Sequence, residues 1–428
     1  MKTNRWDCIV IGAGPAGCTA ATILAQKGRR ALVLEKEAFP RYLIGESLVP
    51  YCYFTLERIG MIEKLRQSAF TKKYSVQFIG RSGRASQPFY FREHLEGDAS
   101  QTWQVARSEF DLMMMENARE NGAEIVEQMR VTHVDPVSEG VRRVRAVDAG
   151  GTDHAYEAPV VIDASGRSAL TMARNRWRVA DAELKKIAIW TYIRGAKRDS
   201  GIDEGATTVA YVEGKNWFWF IPLADDIVSV GVVGERDYLF SGTRNLEEIF
   251  FREARKSAWI EDHIAAGTRA EPFRTTSDFS YRSEFCADDG LVLTGDAFAF
   301  LDPVFSTGVL LALKGGELAA EAVDAALDAG DTRAARFRGY GEAVCAGIEA
   351  MRSLVYAFYD EQFSFRSVLE KRPELKHDLT DCLIGHTERD YDDLFSAVSE
   401  FARLPKPLSH GRPRELEVER HPDHAGNG

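Results

Sequence analysis

The sequence predicts an α/β protein of two domains with a helical extension, and three observations carry that expectation. A short apolar run at residues 8–11 ends in glycines, and a helical segment and a second apolar run at 31–34 follow it. This is a strand–helix–strand unit, and its parallel crossover puts the first turn at the carboxyl edge of a sheet. Four strand-like runs, at 187–193, 208–213, 217–223 and 227–233, crowd together further on, which points to a separate, mostly antiparallel sheet. From 332 to 404 the aromatic and aliphatic positions are spaced for helix packing. At 428 residues the chain exceeds one ordinary core, so two packed domains able to enclose a large ligand are expected.

The elements follow in order. Residues 19–26 have helical character until Gly28 stops them, and Ser108 heads a helix through Glu120 that Asn121-Gly122 closes. Alternating runs near 125–134 and 142–147 read as a meander, and Val160-Val161-Ile162 reads as a buried strand. At Leu291-Val292-Leu293 the parallel sheet resumes, and 309–327 reads as a helix. Residues 405–428 are polar and rich in Pro, His and Glu, so a disordered tail is expected.

Composition narrows the function classes. Hydrophobic residues make up 45% and charged residues 28%, the balance of a globular protein. The net charge of −11 carries no basic block, which argues against nucleic acid or an anionic membrane as ligand. Six cysteines lie far apart with no C-x-x-C pair, which fits reduced thiols. The chain enters a strand pattern at once, without a leader's apolar run, and no stretch approaches bilayer length, so a cytoplasmic protein is expected. The nine histidines offer no spaced zinc ligands and no two-histidine-carboxylate iron site, so no metal is expected; His410, His421 and His424 fall in the polar tail.

Three segments converge on a cofactor. Gly12-Ala13-Gly14-Pro15-Ala16-Gly17 is a G-x-G-x-x-G turn between strand and helix, and Glu35 ends the next strand. Gly12 permits the tight turn, Gly14 lets a pyrophosphate approach the backbone, and Gly17 lets helix and strand close up, while Glu35 can accept hydrogen bonds from a ribose. Further on, Leu293-Thr294-Gly295-Asp296-Ala297 and Asp163-Ala164-Ser165-Gly166-Arg167 resemble the second FAD fingerprint and the D-A-x-G-x segment of the aromatic hydroxylase superfamily. That resemblance implies FAD, with Asp296 on a ribityl hydroxyl. It adds Lys36, Arg41, Ser47, Arg107 and Pro303 to the cofactor site, Arg107 standing in Arg107-x-x-Phe110-Asp111. It also implies the architecture: a Rossmann-like FAD-binding domain of the aromatic hydroxylase type (1–78, 100–180 and 275–330), an inserted, mostly antiparallel β-sheet substrate domain (79–99 and 181–274), and a helical C-terminal region (331–404).

Within that superfamily four sequences resemble the flavin-dependent halogenases: Gly45-Glu46-Ser47-Leu48; Trp217-Phe218-Trp219-Phe220-Ile221-Pro222, the W-x-W-x-I-P motif; Asp302-Pro303-Val304-Phe305-Ser306-Thr307-Gly308; and the stretch from Phe70 to Phe78. Period-two alternation puts Trp217 and Trp219 on one strand face, where the resemblance implies a wall that disfavours ordinary monooxygenation. Backbone amides near Ser306, Thr307 and Gly308 would form a small anion nest for halide. The stretch F-x-x-K-x-G-x-x-F puts its lysine at Lys73, with Lys72 as competitor and Ser75 where the family has glycine. The resemblance implies that this lysine meets hypohalous acid formed at the flavin from oxygen and chloride or bromide, either as an ammonium that directs it or as an amine that forms a chloramine.

Tryptophan halogenases carry glutamate immediately before S-T-G, where this chain has Phe305. The resemblance is therefore to the halogenases of phenols and of carrier-tethered pyrroles. No second nucleotide fingerprint is present, so a separate flavin reductase is expected to supply FADH2. Two other readings stand beside this one: a monooxygenase or reductase on the same scaffold, and a flavoprotein that binds FAD in a pathway complex without catalysis.

Overall fold

The computed structural model describes residues 5–277, 280–361 and 363–415. Its first strand, Cys8–Ile11, is buried on both faces and pairs in parallel with Ala31–Leu34 on one side and Val160–Asp163 on the other. Strands covered on both faces by helices read as unbroken apolar runs, which is why CIVI, ALVL and VVID look alike. The sheet continues outward through Glu124–Val126 on one edge and Leu291–Leu293 and Phe285–Asp288 on the other. Helices Pro15–Gln26 and Gly308–Asp328 pack against each other over it. Gly17 lets the first helix close on its own strand and turn, since a Cβ there would run into the Gly12 carbonyl.

The second sheet holds Lys186–Arg194, Ile227–Glu235, Trp217–Pro222 and Thr207–Tyr211 in antiparallel succession. Ser75–Ile79 then joins Thr207–Tyr211 in parallel, across the boundary expected at residue 78. Alternation along Trp217–Pro222 sorts its side chains: Phe218 and Phe220 enter a core with Phe250 and Ile260 of the short outer helices, while Trp217, Trp219 and Ile221 face the first domain. Gly231 makes room for this face, because a Cβ there would strike the Trp219 indole and lie 2.6 Å from the Trp190 Cβ.

Two expectations are corrected. Ile125 belongs to the main sheet, so the meander consists of Met129–Val134, Arg142–Asp148 and Asp153–Ala158. The polar segment from 405 does not begin as a disordered tail: Arg412–Pro413 pairs with Phe285–Asp288 at the edge of the main sheet, and the Gly411 N–H donates to the Glu284 carbonyl. Composition missed this because backbone pairing needs no apolar side chains. Residues 416–428, with His421 and His424, lie outside the described residues. Among the described residues no helix is long and apolar enough to cross a membrane.

Candidate active site

Between the carboxyl edge of the main sheet and the inward face of the second sheet lies a cavity of about 540 Å³, within the range of small-molecule and cofactor sites. Gly12, Gly14 and Ala16 of the glycine-rich turn line it, as do Glu35 and Lys36 at the next strand end. Arg41, Ser47, Arg107, Asp296 and Pro303, also expected to hold the cofactor, stand on its wall, whereas Gly17 does not. The arrangement fits a dinucleotide. Helix Pro15–Gln26 starts at Gly14 with no side-chain cap, so its first-turn amides are directed at the cavity. A Cβ on Gly14 would meet only the Arg41 guanidinium, at 3.7 Å; what glycine keeps open here is cavity space.

Each charged group has a defined partner. Glu35 accepts the Ala13 N–H at 2.8 Å on one carboxylate oxygen and the Glu37 N–H at 2.9 Å on the other, so it braces the turn as well as facing the cavity. Lys36 is exposed and donates to Ser168 Oγ at 2.9 Å. Arg41 and Arg107 share Asp111, whose fully buried carboxylate accepts from both, at 3.0 and 2.8 Å. Arg107 also donates to the Ile44 carbonyl at 3.0 Å. Burial pushes the Asp296 carboxyl up to about 6, against the pull of Arg107 and Arg167. The Asp163 side chain instead closes its own turn by accepting from Ser165 and Thr171 N–H.

The two lysines separate cleanly. Lys72 is exposed, whereas Lys73 is 1% exposed at the end of the short strand Thr71–Lys73. Its Nζ donates to Ser47 Oγ at 2.8 Å and to the Leu48 carbonyl at 3.0 Å, and lies 5.5 Å from the Phe91 ring centre. Burial lowers its pKa to about 7. Lys73 is not on the cavity wall but is joined to it: Ser47 Oγ is 2.8 Å from Thr207 Oγ1, and both residues line the cavity. Ser47, expected as a cofactor contact, thus spends its hydroxyl on Lys73 and Thr207. Ser75 begins the extended strand Ser75–Ile79 and donates to Asp203 at 2.7 Å, so the backbone here does not require glycine.

On the facing wall, Trp217, Trp219 and Ile221 line the cavity and Pro222 does not. The Trp219 indole donates to Ser229 Oγ at 3.1 Å. The Trp217 indole donates to the Tyr359 hydroxyl at 2.9 Å, which in turn donates to Asp302 Oδ2 at 2.9 Å. Tyr359 therefore ties the tryptophan strand to the loop that precedes helix Gly308–Asp328. In that loop Ser306 is left-handed (φ 56°) after a turn of 3-10 helix, and Thr307 caps the long helix. Successive amides thereby converge at one point, the geometry of an anion nest, with Ser306 and Gly308 on the cavity wall and Thr307 buried beside them. Replacing Tyr359 by Phe is expected to cost about 1–3 kcal/mol, because it strands the buried Asp302 carboxyl and the Trp217 N–H. Denaturant unfolding of the variant measures this, and an unchanged midpoint would mean the hydroxyl bridge carries no stability.

Sequence reasoning passed over several of these residues. Asp111 was visible, four positions after Arg107 on a helix. Tyr359, Thr207 and Phe91 carry no local signal, since only tertiary packing brings them to the site.

A dinucleotide-sized cavity walled by tryptophans and joined by hydroxyls to a buried amine fits a flavin-dependent oxidoreductase. The family model described as tryptophan halogenase matches residues 7–97 and 81–367, so the chain belongs to that family, an FAD-dependent group of halogenating enzymes that use halide and oxygen. It is 29% identical over 407 residues to the 1H-pyrrole-2-carbonyl-[peptidyl-carrier protein] chlorinase of Pseudomonas fluorescens, covering 90% of each chain. To the corresponding brominase of Pseudoalteromonas luteoviolacea it is 29% identical, over 89% of this chain and 92% of the relative. The solved structure of the flavin-dependent brominase Bmp2 superposes with a TM-score of 0.83 at 30% identity, covering 92% of this chain and 98% of that one.

Proposed function

We propose that this halogenase acts on a phenolic ring or on a pyrrolic ring presented on a carrier protein's phosphopantetheine arm, and receives FADH2 from a separate flavin reductase. The observation that carries this reading is Lys73, a buried lysine hydrogen-bonded through Ser47 and Thr207 to the cavity wall. Arg41, Arg107, Glu35 and Asp296 would hold reduced FAD on the glycine-rich turn, where with oxygen it would supply the oxidation of halide to hypohalous acid. The amides of Thr307 and Gly308 hold the halide. Lys73 lies behind the wall, so it acts on the hypohalous acid through the Ser47 hydroxyl that it holds. With a pKa of about 7, its charged and neutral forms coexist near neutral pH, so both the directing ammonium and the chloramine-forming amine are accessible.

Phe305 supports the substrate class. Its ring packs edge-on to Phe358 at 5.7 Å and near Phe365 at 6.2 Å, an apolar cluster beside the cavity where tryptophan halogenases keep a carboxylate. Such a cluster offers no charge to pair with an amino acid's charged groups and suits an uncharged ring. Relatives of nearly the same length whose names specify pyrrole on a peptidyl carrier support the carrier-bound form.

The test combines protein, FAD, a flavin reductase, NADH, oxygen and chloride or bromide with phenols and pyrroles, free and carrier-bound, and reads products by mass spectrometry. Halogen isotope patterns confined to carrier-bound pyrroles or to phenols are expected. Products that gain only oxygen would make this a monooxygenase, and direct reduction of its FAD by NADPH would remove the reductase from the scheme.

A further inference from the structure

We propose that Glu46 is the proton donor of the cavity and that it is recharged from the protein surface through Tyr192 and Tyr42. Halogenation of a ring with oxygen as oxidant and FADH2 as two-electron donor consumes a proton. ArH, X⁻, O2, FADH2 and H⁺ give ArX, FAD and two H2O. A site closed against bulk water therefore needs a route by which that proton enters.

The chain of hydroxyls along the wall has the right ends and the right polarity. Glu46 is 3% exposed and lines the cavity. One carboxylate oxygen, Oε1, accepts from the Tyr192 hydroxyl at 2.7 Å. The other, Oε2, is buried and makes no hydrogen bond among the described residues, although the Ser229 hydroxyl, which accepts from the Trp219 indole, pulls on the same carboxyl. The Tyr192 oxygen lies 3.0 Å from the Tyr42 hydroxyl, and Tyr42 accepts from the Trp190 indole at 2.8 Å. Because Tyr192 gives its only proton to Glu46, Tyr42 must be the donor to Tyr192. Every hydroxyl thus points inward, from a residue that is 43% exposed at the cavity rim to a carboxylate inside it.

The charges around Glu46 keep it able to hold a proton. Burial pushes its carboxyl up to about 7, against Tyr192, Ser229 and the Arg107 guanidinium. Arg107 is itself paired with the buried Asp111, which blunts its pull. Arg274 stacks over the Tyr42 ring at 3.8 Å. Burial also raises both phenols, so the protons shift together and no phenolate persists. In the transfer, the O–H bond on Oε2 breaks toward the cavity, one forms at Oε1 from Tyr192, and Tyr42 replaces the Tyr192 proton and is replenished from water. Rotation of the carboxyl about its Cγ–Cδ bond resets the donor.

The inference rests on the halogenase reading only for the reaction that uses the proton, so one arm of its test needs no turnover. In flavin-free protein, the infrared difference between wild type and Glu46→Gln is expected to show a protonated carboxyl band that fades as pH rises through about 7. No such band at any pH overturns the assignment. In the second arm, Glu46→Gln and Tyr192→Phe are each expected to lower kcat about a hundredfold with little change in KM for halide. The rate of wild type falls above that pH and the rate of Glu46→Gln does not. Wild-type rate and pH profile in both variants would equally overturn it. Failure of the halogenase reading shows separately, as absence of any halogenated product from wild type.

Discussion

Replacing Lys73 by Ala is expected to lower halogenation by roughly three orders of magnitude, the middle of the range for loss of a positioned proton-transfer group, while FAD affinity stays within about twofold of wild type. The separation follows from geometry, since Lys73 reaches the cavity only through Ser47 and Thr207 and touches none of the residues around the glycine-rich turn. FAD titration by fluorescence and single-turnover product formation measure the two quantities. Parallel loss of both would make Lys73 a structural residue. Its burial adds a signature in stability. The folded-state pKa of about 7 lies below the ordinary 10.5, so between those values the unfolded chain binds more protons than the native one. Native stability contributed by this group therefore rises with pH across that window. Lys73→Met is expected to lose that rise and to gain on wild type most at the acidic end.

Asp111→Ala is expected to destabilise the protein by about 3–5 kcal/mol, the range for removing one partner of a buried ion pair. Asp111 is fully buried and holds both Arg41 and Arg107, so its loss leaves two guanidinium groups facing the cavity without their anchor. FAD binding should weaken by about tenfold or more, equivalent to ~1.4 kcal/mol, in both equilibrium titration and denaturation with added cofactor. Unchanged FAD affinity in a folded variant would show that the Ile44 carbonyl alone orients Arg107.

The parts legible in the sequence are those whose chemistry is local. The glycine-rich turn, its helix and Glu35 lie within one strand–helix–strand unit, and the structure keeps them together on one wall. The face of Trp217 and Trp219 followed from strand period alone, and Phe218 and Phe220 do turn to the opposite core. What the sequence hid depends on distant segments meeting. Tyr359 reaches Asp302 across 57 positions, Thr207 reaches Ser47 across 160, and Tyr192 reaches Glu46 across 146, and no window of residues encodes those meetings. Ser47 shows the intermediate case: its motif marks the neighbourhood, but only the fold shows that the hydroxyl turns to the lysine.

The pairing of Arg412–Pro413 onto Phe285–Asp288 also changes what the main sheet offers to its surroundings. An uncovered strand edge is a row of vacant donors and acceptors on which another chain can extend the sheet. Here the row is closed by two residues, one a proline with no N–H to give and the other an exposed arginine. The late polar segment, unremarkable in composition, thus serves as a selvedge: it finishes the sheet in a form to which a stray strand cannot be sewn.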